Sequence, residues 1–306
     1  MNPTPIIDMF SGTGELARAV SAGLVEPSRP ASFSDTYGPA RKYLKYCFPD
    51  AEVCKDFRHQ GVPEGSIVTI DAPYQDLRAA AGRGTSPRSS LTHDAIGMAA
   101  AGGADLIVAE SVPGGHRTYL DLARWLETEH NYRSTVSSGG AWEVGAPHRR
   151  ERIMLVAARR HFEPRRVSVI HQLAPVDLLP TPSVVDRAWG LTPKQWDDVK
   201  RHYREKHRNS NGSGETIASV LSRDLEDEEI RLLQTWETTT RVYAPPTGQT
   251  CQFMHWMMGL RPRLPDALGL SVSAQRRLAG NAVVSLQARL MLQRGLTATN
   301  DTRGTL

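Results

Sequence analysis

The stretch PIIDMFSGTGELARAVSAGL, from Pro5 to Leu24, decides the fold. It starts as a short apolar run, PIIDMF, and continues as an amphipathic pattern, GELARAVSAGL, with a glycine-containing turn between them. The run predicts a buried strand and the amphipathic pattern predicts a helix. Two glycines in a strand-to-helix turn let a ligand approach the backbone closely. A tight turn without a ligand explains the same glycines, so this turn alone is a weak signal.

The alternation of strands and helices continues to about residue 158. Further strands are predicted in ASFSD, AEVC, SIVTID, ADLIVAES, YRSTVSS and RRERIMLVAA, and helices in PARKYLKYCF, SSLTHDAIGMAAAGG and YLDLARWLETEH. Such alternation predicts an α/β fold with a largely parallel sheet covered by helices on both faces. Ligands bind beyond the carboxyl ends of the strands in these sheets, so the polar residues after each strand are the candidates for a site.

Composition changes after this segment. Proline recurs in LAPVDLLPTPS and YAPPTGQT, and KRHYREKHRNSNGSGE is polar and basic. A helical pattern returns in SAQRRLAGNAVVSLQARLMLQRGL, and TATNDTRGTL at the end predicts a frayed tail. We predict a catalytic domain of residues 1–158 plus 271–306, and a loop-rich second region of residues 159–270.

Overall composition indicates a folded soluble protein. The chain has 306 residues, of which 40% are hydrophobic and 23% charged, and its net charge of +4 is compatible with a polyanionic partner without requiring one. Cys47, Cys54 and Cys251 have no metal-ligand spacing, which predicts a reducing compartment, no disulfide framework and no metal. No signal peptide or membrane-spanning run is evident, so we predict a cytoplasmic location.

Two acidic residues follow predicted strands. Asp35 ends the second strand, where an acid commonly accepts hydrogen bonds from ribose hydroxyls; a helix cap is the alternative. Asp56 follows AEVC and is placed to accept from an adenine amino group, or else is a solvated loop aspartate.

Eight blocks then occur in order along the chain: DMFSGTGELARAV, SDTYGPARKYLKYCFPD, KDF, DAPYQDLRAAAGRGTSPRSSL, AESVPGG, GAPHRRERIMLV, FMHWMMGL and LAGNAVV. The series resembles the DNA cytosine-C5 methyltransferase family, particularly its compact phage-type members, over nearly the whole chain. The resemblance implies a Rossmann-like, S-adenosylmethionine-dependent methyltransferase sheet with a small, loop-rich target-recognition region. It also implies double-stranded DNA as partner, in a bacterial or phage-infected host cell.

The resemblance further implies S-adenosylmethionine as cofactor. The matching positions are Asp8, Phe10, Ser11, Gly12 and Gly14 in the first turn, Asp35 at the ribose, Asp56 and Phe57 at the adenine, and Asn281 near the amino-acid end.

In this family the target cytosine is flipped out of the duplex, because chemistry on a base cannot reach it in the stack. By resemblance, Glu110 would hold N3 and N4 of the base, Arg152 the ring carbonyl, and Arg150 the backbone nearby. His148 stands where the family has glutamine. From the residues alone, a strand-end cap is an alternative role for Glu110, and an exposed surface charge is an alternative role for Arg152.

The centre of the chemistry departs from the family. Its proline-cysteine-glutamine triplet supplies a thiolate that adds to C6 of cytosine. This chain has Pro73-Tyr74-Gln75, and a phenol is overwhelmingly protonated near pH 7. The family's next phenylalanine and serine are also changed, to Leu77 and Arg78. None of the three cysteines obviously replaces the missing thiolate.

The segment Asp71-Ala72-Pro73-Tyr74 also resembles the D-P-P-Y motif of amino methyltransferases, with one of its two prolines absent. In that motif the acid and a backbone carbonyl accept the amino hydrogens of cytosine or adenine. The aromatic ring stacks on the flipped base, which is worth about 1–3 kcal/mol. The predicted catalytic residues are thus Asp71, Pro73, Tyr74, Glu110, Arg150 and Arg152, and N4 methylation of cytosine is the preferred outcome. A C5 route without the usual thiolate and an inactive DNA-binding homologue stay open.

Contacts to DNA are predicted for Arg78, Arg88, Lys200, Arg201 and Arg204. The segment from Lys200 to Arg208, with Trp189, Trp196 and Tyr203 nearby, fits phosphates and bases. A solvated helix face explains the segment equally well.

Overall fold

The computed structural model describes residues 2–24, 27–73, 87–163, 179, 181–182, 225–246 and 249–301. Two compact units form. The first unit comprises Met1–Val144, Glu151–Gln172 and Ala282–Leu306, and the second unit comprises Gly145–Arg150 and Leu173–Asn281. The domain boundaries that we predicted at residues 158 and 271 stay a prediction.

The described residues of the first unit form a seven-stranded sheet of order β3-β2-β1-β4-β5-β7-β6. The strands are β1 (Thr4–Met9), β2 (Ser28–Ser34), β3 (Glu52–Cys54), β4 (Ile67–Ile70), β5 (Leu106–Ser111), β6 (Tyr132–Gly140) and β7 (Glu151–Arg159). The five neighbouring strands β3, β2, β1, β4 and β5 run parallel, while β7 is antiparallel to both β5 and β6. The predicted largely parallel sheet is confirmed.

Helices follow most strands. Their bounds are α1 (Glu15–Gly23), α2 (Gly38–Cys47), α3 (Pro87–Ala101), α4 (His116–Glu129), α5 (Asp227–Thr240), α6 (Thr250–Met257), α7 (Leu264–Ala267), α8 (Val272–Asn281) and α9 (Ser285–Asp301), with short 3₁₀ turns at Phe57–His59, Pro113–Gly115 and Ala141–Val144. No helix in these described ranges is long and apolar enough to cross a membrane.

Alternating strand residues build a core on each face of the sheet. Ile7 of β1 packs in the cluster that holds Ile96 of α3 and Leu126 of α4. Ile6 points to the opposite face and packs in the cluster that holds Leu16 of α1 and Leu292 of α9. Because successive strand side chains point to opposite faces, a strand that is apolar throughout must be covered on both sides.

The strand order reverses at the centre of the sheet. From β1 the chain passes outward through β2 and β3, then returns to place β4 on the other side of β1. The loops after β1 and β4 diverge at this point, which leaves a crevice beyond their carboxyl ends. The fold therefore places a ligand site next to the turn after Met9 and the segment after Ile70.

Where the structure describes residues 159–270, it shows three helices, α5, α6 and α7. The loop-rich character of the region as a whole stays a prediction. Two signals of helix starts in this region were not used in the sequence analysis. Pro265 occupies the first turn of α7, where its missing N–H costs no hydrogen bond. Glu226 and Glu229 form a capping box at the start of α5.

The C-terminal prediction also needs correction. The helical pattern is interrupted at Ala282, Val283 and Val284, which separate α8 from α9. The predicted frayed tail is wrong as far as Asp301, because α9 continues to that residue and buries Leu296 and Thr299. We interpreted the polar sequence TATND as part of a tail, but it continues a helix that packs on the sheet.

Because α9 approaches the sheet closely, we expect replacement of a glycine in α9 by alanine to destabilise the protein, which is the opposite of the usual effect inside a helix. A Cβ atom on Gly295 would lie 2.5 Å from Cγ2 of Val156, whereas one on Gly97 of α3 would lie an ordinary 3.6 Å from Trp125. Glycine to alanine inside a helix normally stabilises by about 0.5–1 kcal/mol. We expect that gain for Gly97→Ala, and a loss of roughly 1–3 kcal/mol for Gly295→Ala because of overpacking. Urea unfolding of the two matched variants measures both, and a stabilised Gly295→Ala would refute the close contact.

Candidate active site

The turn after β1 has left-handed backbone at three positions, Phe10 (φ 59°), Gly12 (φ 52°) and Gly14 (φ 76°). A Cβ on Gly14 would meet Phe48, Leu44 and Phe33 at 2.8–3.0 Å, so packing alone requires that glycine. A Cβ on Gly12 would have no atom of the described residues within 4 Å. Gly12 is therefore the glycine whose open side suits a ligand, and the residues of this turn fit a cofactor.

Hydrogen bonds from Ser11 and Asp35 hold this turn against the end of β2. The Ser11 hydroxyl donates to the Asp8 carbonyl at 2.8 Å and accepts from the Ser34 N–H at 3.0 Å. The Asp35 carboxylate accepts from the Gly12 N–H at 2.9 Å and from the Tyr37 N–H at 2.7 Å. Because a carboxylate offers about four acceptor positions, these two bonds are compatible with both readings of Asp35, the cap before α2 and the ribose acceptor.

Asp8 lies inside the sheet and is fully buried. Its Oδ1 accepts a 2.5 Å hydrogen bond from the Thr69 hydroxyl of β4, and its Oδ2 has no hydrogen-bond partner among the described residues. Burial raises the pKa of Asp8 to about 8. The side chain thus joins the two central strands below the turn, which is the position from which it would support a cofactor without touching it.

The residues predicted near the adenine lie beside the same turn. The rings of Phe10 and Phe57 have centroids 4.8 Å apart, and Phe57 is buried. Asp56 accepts from the Arg58 N–H at 3.0 Å and pairs with the Arg58 guanidinium at 3.0 Å. The structure therefore brings Phe10, Phe57 and Asp56 to one end of the crevice.

Asp71 and Glu110 follow neighbouring strands. The Asp71 N–H donates to the Met9 carbonyl at 3.1 Å, which fixes the start of the DAPY segment beside the β1 turn. Ile70 of β4 pairs with Ala109 of β5, so Asp71 and Glu110 occupy the next positions along the two strands. Burial raises the pKa of Tyr119, and the negative charges of Glu110 and Asp71 raise it further. The Tyr119 hydroxyl donates to the Glu110 carbonyl at 2.8 Å and so holds the end of β5.

Arg152 of β7 forms an ion pair with Glu110. Arg152 Nε lies 2.7 Å from Glu110 Oε1, and the two side chains are only 11% and 4% exposed. Oε1 nevertheless receives no well-aligned hydrogen bond from any residue that the structure describes. Arg152 also lines a cavity of about 480 Å³, together with Pro113, His116, Gly140, Trp142 and Glu151. Arg152 therefore lies at the edge of a space large enough for a base, and the buried Glu110 carboxylate is its ion-pair partner.

Three predicted residues belong to the second unit. Arg150 has φ 29° and is buried, and its guanidinium donates to the Gly280 carbonyl at 3.2 Å. His148 is fully buried, with Nε2 3.1 Å from the Met257 carbonyl. Asn281 is exposed as the last residue of α8. The roles of Arg150 and Asn281 toward substrate and cofactor stay predictions.

Several predicted residues lie outside the described part of the chain: Tyr74, Arg78, Lys200, Arg201 and Arg204, and the side chain of Arg88. Pro73 is exposed at the end of the described segment after β4. Sequence reasoning missed Thr69 and Tyr119. A threonine inside the apolar run SIVTID was a usable signal for Thr69, since a buried hydroxyl needs an acceptor.

The sheet order, the antiparallel β7 and the crevice at β1 and β4 define the Rossmann-like fold of the S-adenosylmethionine-dependent methyltransferases. Solved structures with this fold include a mutant DNMT2 of Spodoptera frugiperda, with 16% identity and a TM-score of 0.54 over 95% of this chain and 98% of that one.

The methyltransferase EhMeth of Entamoeba histolytica has 14% identity and a TM-score of 0.55 over 95% of this chain and 97% of that one. A prophage-encoded E. coli protein, assigned as a DNA modification methyltransferase, has 14% identity and a TM-score of 0.54 over 97% of this chain and 99% of that one. A scan of protein-family models and a search of curated proteins found no match. At these identities the likeness establishes the fold alone.

The buried Asp8 predicts a pH-dependent stability. Its folded pKa of about 8 lies above the ordinary aspartate pKa of 3.8, so between those values the folded protein keeps a proton that the unfolded chain has released. Stability falls as pH rises through this window, by up to about 1.4 kcal/mol per pH unit for one proton. Asp8→Asn should remove that slope. Urea unfolding at several pH values between 5 and 8 measures the difference from wild type.

Asp50→Asn, which makes the same substitution at an exposed position, is the control and should keep the wild-type profile. Parallel pH profiles of wild type and Asp8→Asn would show that Asp8 is ionised in the folded protein.

Proposed function

We propose that this protein is an S-adenosylmethionine-dependent DNA methyltransferase that flips a cytosine out of the duplex and methylates N4. One arrangement carries the proposal: the acid Asp71 lies beside the β1 turn on one side and beside the Glu110–Arg152 ion pair on the other. The similar prophage-encoded E. coli protein supports DNA as the substrate.

The β1 turn would hold the cofactor, which supplies an electrophilic methyl group on a sulfonium when bound. Gly12 leaves open space at the turn, and Asp35 is anchored to the Gly12 and Tyr37 N–H groups with both oxygens at the end of β2. Phe10 and Phe57 would provide an apolar wall. These residues would hold the cofactor beside the segment after β4, which starts next to this turn.

The Glu110–Arg152 pair would hold the flipped cytosine. The Glu110 carboxylate would accept from N4 and face N3, and the Arg152 guanidinium would donate to the ring carbonyl. Both side chains are largely buried, and hydrogen bonds are stronger in such a low-dielectric site. Opposite charges at 2.7 Å also keep the empty pocket neutral, which lowers the cost of burying either group.

The positions of the cysteines favour N4 over C5. Cys54 ends β3 at the sheet edge, and β2 and β1 separate it from β4. With neighbouring strands about 4.8 Å apart, that distance is roughly 14 Å. Burial raises the pKa of Cys54, so the thiol is a poor nucleophile. Cys47 ends α2, after β2, and burial also raises the pKa of Cys251 in the second unit.

Direct transfer to N4 needs no covalent bond between enzyme and base. The Asp71 carboxylate accepts one amino hydrogen, which directs the N4 lone pair toward the methyl group. The cofactor held at the β1 turn would supply the methyl group that N4 accepts. The amino proton that is lost passes to Asp71 and from there to water. Tyr74 provides the stacking surface for the base.

Product analysis tests the proposal directly. Protein, duplex DNA and cofactor are incubated, and the digested nucleosides are separated by chromatography with mass detection. N4-methylcytosine is expected. It has the same mass as C5-methylcytosine, so retention time distinguishes them. A product that co-elutes with C5-methylcytosine would overturn the N4 assignment, and absence of any modified nucleoside would favour an inactive DNA-binding homologue.

Substitutions of Tyr74 and Asp71 test the roles within the segment. Tyr74→Phe should retain much activity because the ring survives, while Tyr74→Ala should lose about five- to hundredfold from lost stacking. Asp71→Ala should be severely impaired. Tyr74→Cys restores the proline-cysteine-glutamine triplet and should acquire C5 methylation or a covalent complex with 5-fluorocytosine DNA. Full activity of Asp71→Ala would contradict the amino-group mechanism.

Asp35→Ala tests the cofactor site. Loss of a charged acceptor should weaken binding of S-adenosylmethionine or its demethylated product by roughly ten- to hundredfold, measured by calorimetry. Asp50→Ala is a matched control at an exposed position and should bind normally. Wild-type protein that binds neither compound would remove the transferase proposal altogether.

A further inference from the structure

Trp142 lines the cavity of about 480 Å³ that Arg152 also lines. It lies in the 3₁₀ turn Ala141–Val144, which follows the last residue of β6. The same cavity is lined by Pro113 and His116, which follow β5, and all of these residues belong to the first unit. Because β7 is antiparallel to both neighbours, the ends of β5 and β6 and the start of β7 meet at one edge of the sheet. A partly exposed aromatic side chain therefore borders the space that would receive the base, and the resemblance gives it no role.

A glycine keeps the Trp142 ring in its place. A Cβ atom on Gly140 would overlap Nε1 of Trp142 and lie 2.6 Å from its Cδ1, so the indole lies directly against the backbone of β6. Glycine inside a strand weakens the strand and often marks the close approach of another group. Here the group that approaches is the indole, and any side chain at residue 140 would displace it.

Glu143 holds the turn that carries Trp142. Its Oε1 accepts from the Gly140 N–H at 2.6 Å, and its Oε2 accepts from Arg294 of α9 at 2.5 Å. Arg294 also donates to the Ser138 carbonyl of β6 at 2.6 Å. The turn is thus tied both to the strand before it and to α9. A ring that is already held in place loses little freedom when a ligand packs on it, which favours binding.

Charge around the cavity favours a neutral ring over a phosphate. Arg152 is paired with Glu110. Glu143 is paired with Arg294. Glu151, at the start of β7, adds an exposed carboxylate to the lining, and this negative charge repels a phosphate. A base that stacks on an aromatic side chain gains about 1–3 kcal/mol, so a base is the ligand that suits an indole in this setting.

We propose that Trp142 is a further base-binding residue, whose indole stacks on the flipped cytosine that the Glu110–Arg152 pair would hold. The proposal rests on the proposed function for the identity of the base. A planar base has two faces, so this contact is compatible with stacking on Tyr74. The ring packs on the base equally before and during methyl transfer, so it strengthens the binding of DNA without accelerating the reaction.

Photo-crosslinking tests the contact without any need for catalysis. The full chain is mixed with duplex DNA of random sequence in which 5-iodocytosine replaces cytosine, irradiated and digested, and the crosslinked residues are located by mass spectrometry. A crosslink at Trp142 is expected, because light breaks the C–I bond and the base radical adds to an aromatic ring in contact with it. Gly140→Ala, which displaces the ring, should lower the yield at Trp142 by about fivefold or more.

Steady-state methylation of a random duplex with ordinary cytosine measures the contribution of the ring. Trp142→Leu keeps apolar bulk but loses the ring, so KM for DNA should rise about five- to hundredfold while kcat stays nearly unchanged. Trp142→Phe keeps a ring and should stay near wild type. Trp125→Leu is the matched control and should keep the wild-type KM, because this partly buried tryptophan of α4 contacts His93 and His130 rather than the cavity.

The outcomes separate the role of Trp142 from the proposed function. A crosslink at Trp142 in a protein that methylates no DNA would support the base contact while the transferase fails. Absence of a crosslink at Trp142, or an unchanged KM in a folded Trp142→Leu, would overturn this proposal even if wild type methylates cytosine. Thermal unfolding verifies that each variant folds, and Gly140→Ala takes the place of Trp142→Leu if that variant does not.

Discussion

The hydrogen bond from Thr69 to Asp8 joins β1 and β4 at the point where the strand order reverses, and the candidate active site depends on it. The bond can only form if the two strands hold the register that pairs Asp8 with Thr69. That register also sets the Asp71 N–H opposite the Met9 carbonyl. A single buried polar pair thus aligns the turn that would hold the cofactor with the segment that would hold the base.

Polar groups at the ends of the strands are arranged in pairs that limit the cost of burial. Asp35 accepts two backbone N–H groups, and Glu110 faces Arg152. Asp8 differs because its hydrogen-bond partner Thr69 is neutral, and burial raises the pKa of Asp8. Charges that face the crevice are therefore compensated, while the carboxyl below it is neutral over much of the ordinary pH range.

The sheet could be predicted from the sequence because each strand in it is a short apolar run flanked by turn residues. Hydrophobic residues also recur with a different period in strands than in helices. The sequence also predicted that Phe10, Gly12, Asp35 and Glu110 lie at the carboxyl ends of strands. It did not distinguish Gly12 from Gly14, because the packing of Phe33 and Phe48 against the turn is a tertiary contact. Helix α5 and the end of α9 were missed for a related reason: polar residues form helices when one face packs, and burial of Trp236 and Leu296 is not visible in local pattern.

Helix α9 covers the β6 side of the sheet with residues from the far end of the chain. Gln287 donates to the Gly139 carbonyl at 2.8 Å, and Ser137 donates to the Met291 carbonyl at 2.8 Å. During synthesis, the 125 residues between Arg159 and Ser285 must be made before that cover exists. At about 5–20 residues per second, the apolar face stays uncovered on the ribosome for roughly 6–25 s. The nascent chain therefore passes through a long interval in which all seven strands are made while one apolar face of the sheet is uncovered, and such a surface is prone to aggregation.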